Sequence, residues 1–213
     1  AEPMPPIEEF QQLTDDQRKV FEELDDSLHK DEYQTFLLEG VTGSGKTEVY
    51  LHAVRLTQEL GKSSLVLVPE ISLTPLLVNR FRSRFGDNVA VLHSGMDDGE
   101  RYDEWSQVRN GLTSIVVGAR SAVFAPLNNL GLVIVDEEHD GSYKQAETPR
   151  YHARDVAVYR GFKANATVLL GSATPSLESS YNVQLGKYHP LFLKKRIFQP
   201  EPVSYTHLTL PTM

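Results

Sequence analysis

Short apolar runs recur along this chain, and each ends in a polar or glycine-rich stretch. They are Phe36-Leu37-Leu38, Ser64-Leu65-Val66-Leu67-Val68, Val89-Ala90-Val91-Leu92, Ser114-Ile115-Val116-Val117, Leu132-Val133-Ile134-Val135 and Thr167-Val168-Leu169-Leu170. Apolar at successive positions rather than alternate ones, they read as strands buried on both faces, as in a parallel sheet. Segments with helical spacing lie between them. Thr14 opens the first as N-cap, Gln17 completes a capping box, and Val20, Phe21, Leu24 and Leu28 share one face. Further helices are expected from Gly45, from the capping stretch Pro69 to Pro75 on to about Phe85, from Asp98 to Arg109, from Arg154 to Phe162 and from Ser176 to Leu185. Strands alternating with helices imply right-handed βαβ units. The fold class is therefore α/β, with a central, mainly parallel sheet flanked by helices in three layers.

Sheets of this kind bind ligands at the carboxyl ends of their strands, and every polar motif here falls at such an end. Gly40-Val41-Thr42-Gly43-Ser44-Gly45-Lys46-Thr47 follows the first run and leads into a helix, the strand, loop and helix of a phosphate-binding loop. Its glycines let backbone N–H groups turn inward as an anion cradle, and the helix dipole adds positive potential. Lys46 is placed to reach the β- and γ-phosphates of ATP, and the Thr47 hydroxyl to ligate Mg²⁺. Asp136 and Glu137 close the most apolar run. There the first carboxylate can hold Mg²⁺ through its water shell, and the second can orient and deprotonate the attacking water. His139 can link these carboxylates to Ser172 and Thr174 at the neighbouring strand end, although Ser172-Ala173-Thr174 also reads as a plain helix-capping turn. Gln17 likewise has two readings: completing its cap, or presenting its paired donor and acceptor to an adenine edge.

With 213 residues, 40% of them hydrophobic, the chain suits one well-filled α/β domain. The absence of Cys excludes disulfides and thiolate metal sites and fits a cytoplasmic location. No apolar stretch approaches the ~20 residues of a membrane span, so no membrane partner is expected. Residues 1–12 are acidic and Pro-rich, unlike a signal peptide, and read as a linker or truncated end. Residues 196–213 read as the start of a connection to a further lobe. Within them, 203–213 read as a non-native adapter scar or, alternatively, an ordinary strand. The net charge of −8 lowers the expectation of DNA binding by this segment alone, although a local basic strip can sit on an acidic domain.

The phosphate loop, Asp136-Glu137-Glu138-His139 and Gly171-Ser172-Ala173-Thr174 together resemble the superfamily 2 helicases of the DExH type. Longer strings sharpen the resemblance to the bacterial primosomal, replication-restart helicases: Gly40 to Tyr50, Val68 to Ile71, Leu92 to Gly95, Asp136 to Asp140, Ser142 to Gln145, Arg150 to Asp155 and Gly171 to Pro175. The resemblance covers residues 13–195 and implies the first RecA-like motor lobe of a 3′-to-5′ ATP-dependent DNA helicase acting at stalled forks and D-loops. It implies ATP and Mg²⁺ at Lys46, Thr47, Asp136 and Glu137. It further implies a DNA path along Pro69, Glu70, Arg120 and Ser121. Residues 141–155 match an aromatic-rich loop that couples DNA binding to hydrolysis. Tyr143 and Tyr151 are expected to stack on bases, and Lys144, Arg150 and Arg154 to meet phosphates. Pro149 stands where that loop often has an aromatic. The implied partners are forked or single-stranded DNA, primosome proteins and single-strand-binding protein. The resemblance also implies modules not found in these residues: a second lobe with an arginine finger, worth ~10³–10⁵ in rate, a fork-binding domain and a cysteine-rich zinc module. These 213 residues alone are accordingly expected to bind ATP weakly and hydrolyse it poorly. A P-loop kinase, another P-loop ATPase or a nucleotide-gated module without helicase activity is the competing reading.

Overall fold

A computed structural model describes residues 8–196. In chain order the elements are α1 (Asp15–Lys30), β1 (Gln34–Gly40), α2 (Lys46–Glu59), β2 (Ser63–Leu67), α3 (Pro75–Phe85), β3 (Val89–Leu92) and α4 (Asp98–Arg109). Then come β4 (Ile115–Gly118), β5 (Leu130–Val135), the short strands β6 (Lys144–Gln145) and β7 (Tyr151–His152), α5 (Ala153–Ala164), β8 (Thr167–Ser172), α6 (Leu177–Gln184) and β9 (His189–Leu193).

Seven strands form one sheet in the order β3-β4-β2-β5-β8-β1-β9, and every pairing in it is parallel. Successive residues of each strand supply opposite faces. Leu132 and Ile134 of β5 join Val20, Leu24, Val54 and Phe81 from α1, α2 and α3. Val133 and Val135 join Val108, Ala153 and Ala157 from α4 and α5 on the other side. This two-sided burial is why the strands read as unbroken apolar runs.

α1 starts where its capping box places it: Thr14 Oγ1 accepts from Gln17 N, and Gln17 Oε1 accepts from Thr14 N at 2.9 Å. Thr74 caps α3 with Pro75 at its first position. Asp97 and Glu100 form a second capping box on α4.

Of the stretch 1–12 read as a linker or truncated end, the prolines lie outside the described residues, and residues 8–11 make contacts with the domain. Glu8 N donates to Ser83 O, Gln11 N donates to Glu48 Oε1, and Phe10 packs edge-on against His52 and Phe85. The aromatic ring of Phe10 packs against the α2–α3 side of the core. β9 is also absent from the apolar pattern. Among the described residues it pairs only with β1, and an edge strand tolerates Pro190. The sequence from 203 onward, read as a non-native scar, lies outside the described residues.

Candidate nucleotide site and nucleic-acid face

Strand order places three carboxyl ends side by side: β5 bearing Asp136, β8 bearing Ser172, and β1 bearing the phosphate loop. Gly43 and Gly45 have φ of 81° and 83°, the left-handed conformation that glycine adopts without penalty, and Gly45 caps α2. Lys46, first residue of the helix, is buried, and its Nζ donates to Gly40 O at 2.8 Å. Ser44 Oγ is buried with no hydrogen-bond partner, an acceptor and donor held ready inside the loop. Around these residues opens a cleft of about 590 Å³, also lined by Thr47, Arg80, Arg84, Asp136 and Glu137. That volume is within the range of small-molecule sites. A groove of similar size, about 640 Å³, lies between α3 and α4, but Glu70, Glu100, Asp103 and Glu104 line it and oppose an anionic ligand.

Opposite the loop, Glu137 adopts φ of 45°, a strained conformation for a residue with a side chain. Its Oε1 stands 3.5 Å from Lys46 Nζ, and its Oε2 3.7 Å from His139 Nδ1. Burial pushes the Asp136 carboxyl above the ordinary aspartate range, and the Glu137 charge adds to this. The hydrogen bond from Tyr50 and the Lys46 charge oppose it. Thr47 and Asp136 supply oxygen donors of the kind hard Mg²⁺ takes. Among the described residues no group of three or more His, Cys, Asp or Glu forms a metal cluster.

His139 Nδ1 is hydrogen-bonded to Ser172 Oγ at 2.7 Å, and Nε2 lies 3.4 Å from Thr174 Oγ1. The three residues singled out as a linkage are therefore adjacent. Gln17 is buried, with Oε1 on Thr14 N and Nε2 donating to Gly45 O at 3.0 Å. Its amide braces the phosphate loop from α1, and in this state both ends of it have protein partners.

The nucleic-acid residues divide. Pro69 and Glu70 follow β2, and the Glu70 carboxylate accepts hydrogen bonds from Ser94 N and Oγ. Ser121, Lys144 and Arg150 are exposed. Arg120 ties the β6 side of the aromatic loop down, its Nη1 donating to Ser142 O and Lys144 O at 3.2 and 3.1 Å. Tyr151 is half-buried, with its ring edge-on to exposed Phe124 at 5.0 Å.

Two of the expected DNA contacts lie inside the protein. Tyr143, expected to stack on bases, is 0% exposed, its ring lies in the core, and its hydroxyl donates to Asp136 O at 2.6 Å. Arg154, expected to meet phosphates, is buried, and its guanidinium donates from Nη1 to Glu138 Oε2 at 3.1 Å and to Ser176 Oγ at 2.8 Å. Glu138, which sequence reasoning passed over, is 0% exposed and accepts three further hydrogen bonds from Ser176 and Ser179 beside Arg154. Charged residues are rarely buried unless paired, and nothing local in Glu-Glu-His marks which glutamate turns inward. Arg80 and Arg84 of α3 also reached the cleft without a sequence signal.

Among known proteins the chain is similar to replication restart protein PriA of Bacillus subtilis, 54% identical over 197 residues. That alignment covers 92% of this chain and 24% of the relative. PriA of Synechocystis sp. is 57% identical over 159 residues, covering 74% of this chain and 19% of the relative. The chain thus spans about a quarter of the length of the curated relatives it matches. Two solved structures share its fold. RecG bound to a three-way DNA junction has a TM-score of 0.60 at 24% identity, covering 90% of this chain and 25% of that one. The Pyrococcus furiosus Hef helicase domain has 0.58 at 17%, covering 84% and 37%. A sequence model of the DEAD/DEAH box helicases matches residues 14–183, which takes in every strand of the sheet except β9. On that ground the chain is a member of the DEAD/DEAH box helicase family.

Proposed function

We propose that these residues form the ATP-binding first motor lobe of a replication-restart DNA helicase, moving 3′-to-5′ at stalled forks and D-loops. The observation that carries the proposal is the convergence of Lys46, Glu137 and Asp136 across one cleft, with His139, Ser172 and Thr174 continuing from it. Similarity to the PriA proteins supports the choice of pathway.

The phosphate loop amides and the end of α2 cradle the nucleotide phosphates, and Lys46 leaves Gly40 O to neutralise their outer charge. Asp136 and the Thr47 hydroxyl would hold Mg²⁺, which would supply positive charge against the phosphate oxygens. Glu137 orients the attacking water and accepts its proton, and its left-handed turn sets the carboxylate between Lys46 and His139. His139 carries the change at Glu137 to Ser172 and Thr174 through hydrogen bonds. DNA follows Glu70, Ser121 and the exposed cations Lys144 and Arg150, with Tyr151 and Phe124 as the stacking candidates.

Forked or single-stranded DNA, primosome proteins and single-strand-binding protein are the proposed partners, in the cytoplasm. None of the described helices is long and apolar enough to cross a membrane. With no Cys, this chain contributes no thiolate to the zinc module the resemblance implies.

The test is Glu137→Gln in the complete native reading frame that encodes this chain. Retained ATP binding with lost unwinding is expected. Unchanged unwinding would instead favour a nucleotide-gated binding module.

A further inference from the structure

Tyr50 lies one helical turn beyond Lys46 on α2 and is buried. Its hydroxyl donates to Asp136 Oδ1 at 2.8 Å. α2 packs against β2 and β5, and the phenol lies against Gly171 of β8, the strand beside β5. A Cβ there would lie 1.8 Å from the Tyr50 hydroxyl oxygen, 3.0 Å from its Cζ and 3.4 Å from Asp136 Oδ1. Gly171 does not have positive φ, so its backbone does not require glycine. What requires glycine is the space for the phenol. A phenylalanine would fill nearly the same volume, which leaves the hydroxyl's bond to the carboxylate as the distinctive feature of tyrosine here.

We propose that Tyr50 is a positioning residue for the metal-bearing carboxylate, pinning Asp136 through Oδ1 so that its remaining lone pairs face the hydrated Mg²⁺, and that Gly171 is the gap that permits it. This rests on the reading of the cleft as an ATP·Mg²⁺ site. An outer-shell partner of a metal ligand reduces the ligand's freedom before the metal arrives, and loss of such a partner typically weakens metal affinity by ~10–100-fold.

The test is titration of the 213-residue chain with fluorescent methylanthraniloyl-ATP, in Mg²⁺ and separately in EDTA. Tyr50→Phe should weaken binding by about 10-fold in Mg²⁺ and leave binding in EDTA unchanged. Equal affinity of variant and unsubstituted chain in Mg²⁺, or the same loss in both media, overturns the proposal. If the unsubstituted chain shows no Mg²⁺-dependent binding, the ATP·Mg²⁺ reading falls and takes this proposal with it. Gly171→Ala supplies an independent arm. It should drive the hydroxyl off Asp136 and reproduce the Mg²⁺-specific loss, with a smaller further effect once Tyr50 is already Phe. Full additivity of the two substitutions would place Gly171 outside this contact.

Discussion

Arg154→Ala separates a DNA-binding arginine from an internal clamp. In the unsubstituted protein Glu138 is wholly buried and its carboxylate is satisfied by Ser176 N at 2.7 Å, Ser176 Oγ at 2.9 Å, Ser179 Oγ at 2.8 Å and Arg154 Nη1 at 3.1 Å. Truncation leaves the three neutral donors but removes the one cation that, among the described residues, pairs with this buried charge. Losing a charge-assisted hydrogen bond costs ~1.5–3 kcal/mol, and breaking a buried ion pair from one side costs ~3–5 kcal/mol in all. The upper range applies here because Glu138 is wholly buried. Ser176 Oγ loses a donor as well, which loosens the cap of α6. At an m-value of ~2 kcal/mol/M, the urea midpoint should fall by ~2 M. Equilibrium unfolding followed by circular dichroism measures this directly. A midpoint within ~0.3 M of the unsubstituted chain, together with weakened binding to single-stranded DNA, would refute the clamp and return Arg154 to the DNA path.

Three further outcomes follow from the same geometry. Tyr143→Phe removes the donor to Asp136 O and should cost ~1–2 kcal/mol in urea unfolding; oligonucleotide affinity should not change, and a large drop in it would show that the ring leaves the core to stack. Lys144→Ala and Arg150→Ala should leave stability within ~0.5 kcal/mol and each reduce the salt slope of single-strand binding by about 1, read from anisotropy titrations over a range of KCl. Alkaline titration has a defined sign. Burial raises the phenols of Tyr50, Tyr143 and Tyr188 above their ordinary 10.0, Tyr188 to about 12. Their contribution to stability is full below pH 10 and is lost as the unfolded chain ionises between there and their folded values. Unfolding free energy should therefore fall steeply above pH 10, and Tyr188→Phe should make the fall shallower.

The elements visible from the residues alone are those whose information is local. Unbroken apolar runs mark β2 to β5 and β8, because parallel strands covered by helices on both sides leave no position for a polar residue. Thr14 and Gln17 mark the start of α1 through bonds spanning three residues. The phosphate loop and the carboxylates after β5 are legible because their chemistry demands particular residue types at fixed spacing. β9 and the packing of Phe10 escaped because their partners lie far along the chain.

Residue types alone named the nucleotide site, since glycine, lysine and carboxylate have few other uses in that order beside strand ends. Tertiary structure decided which of the charged and aromatic residues near it face outward. Arg154 and Tyr143 carry the composition of a DNA-binding loop, yet Glu138 and the Asp136 carbonyl draw them inside. A buried charge or carbonyl must be satisfied wherever a donor can be found. That donor is selected by three-dimensional proximity, which no spacing rule encodes. The same holds for Tyr50, which reaches Asp136 only because β8 carries a glycine where the phenol lies against it.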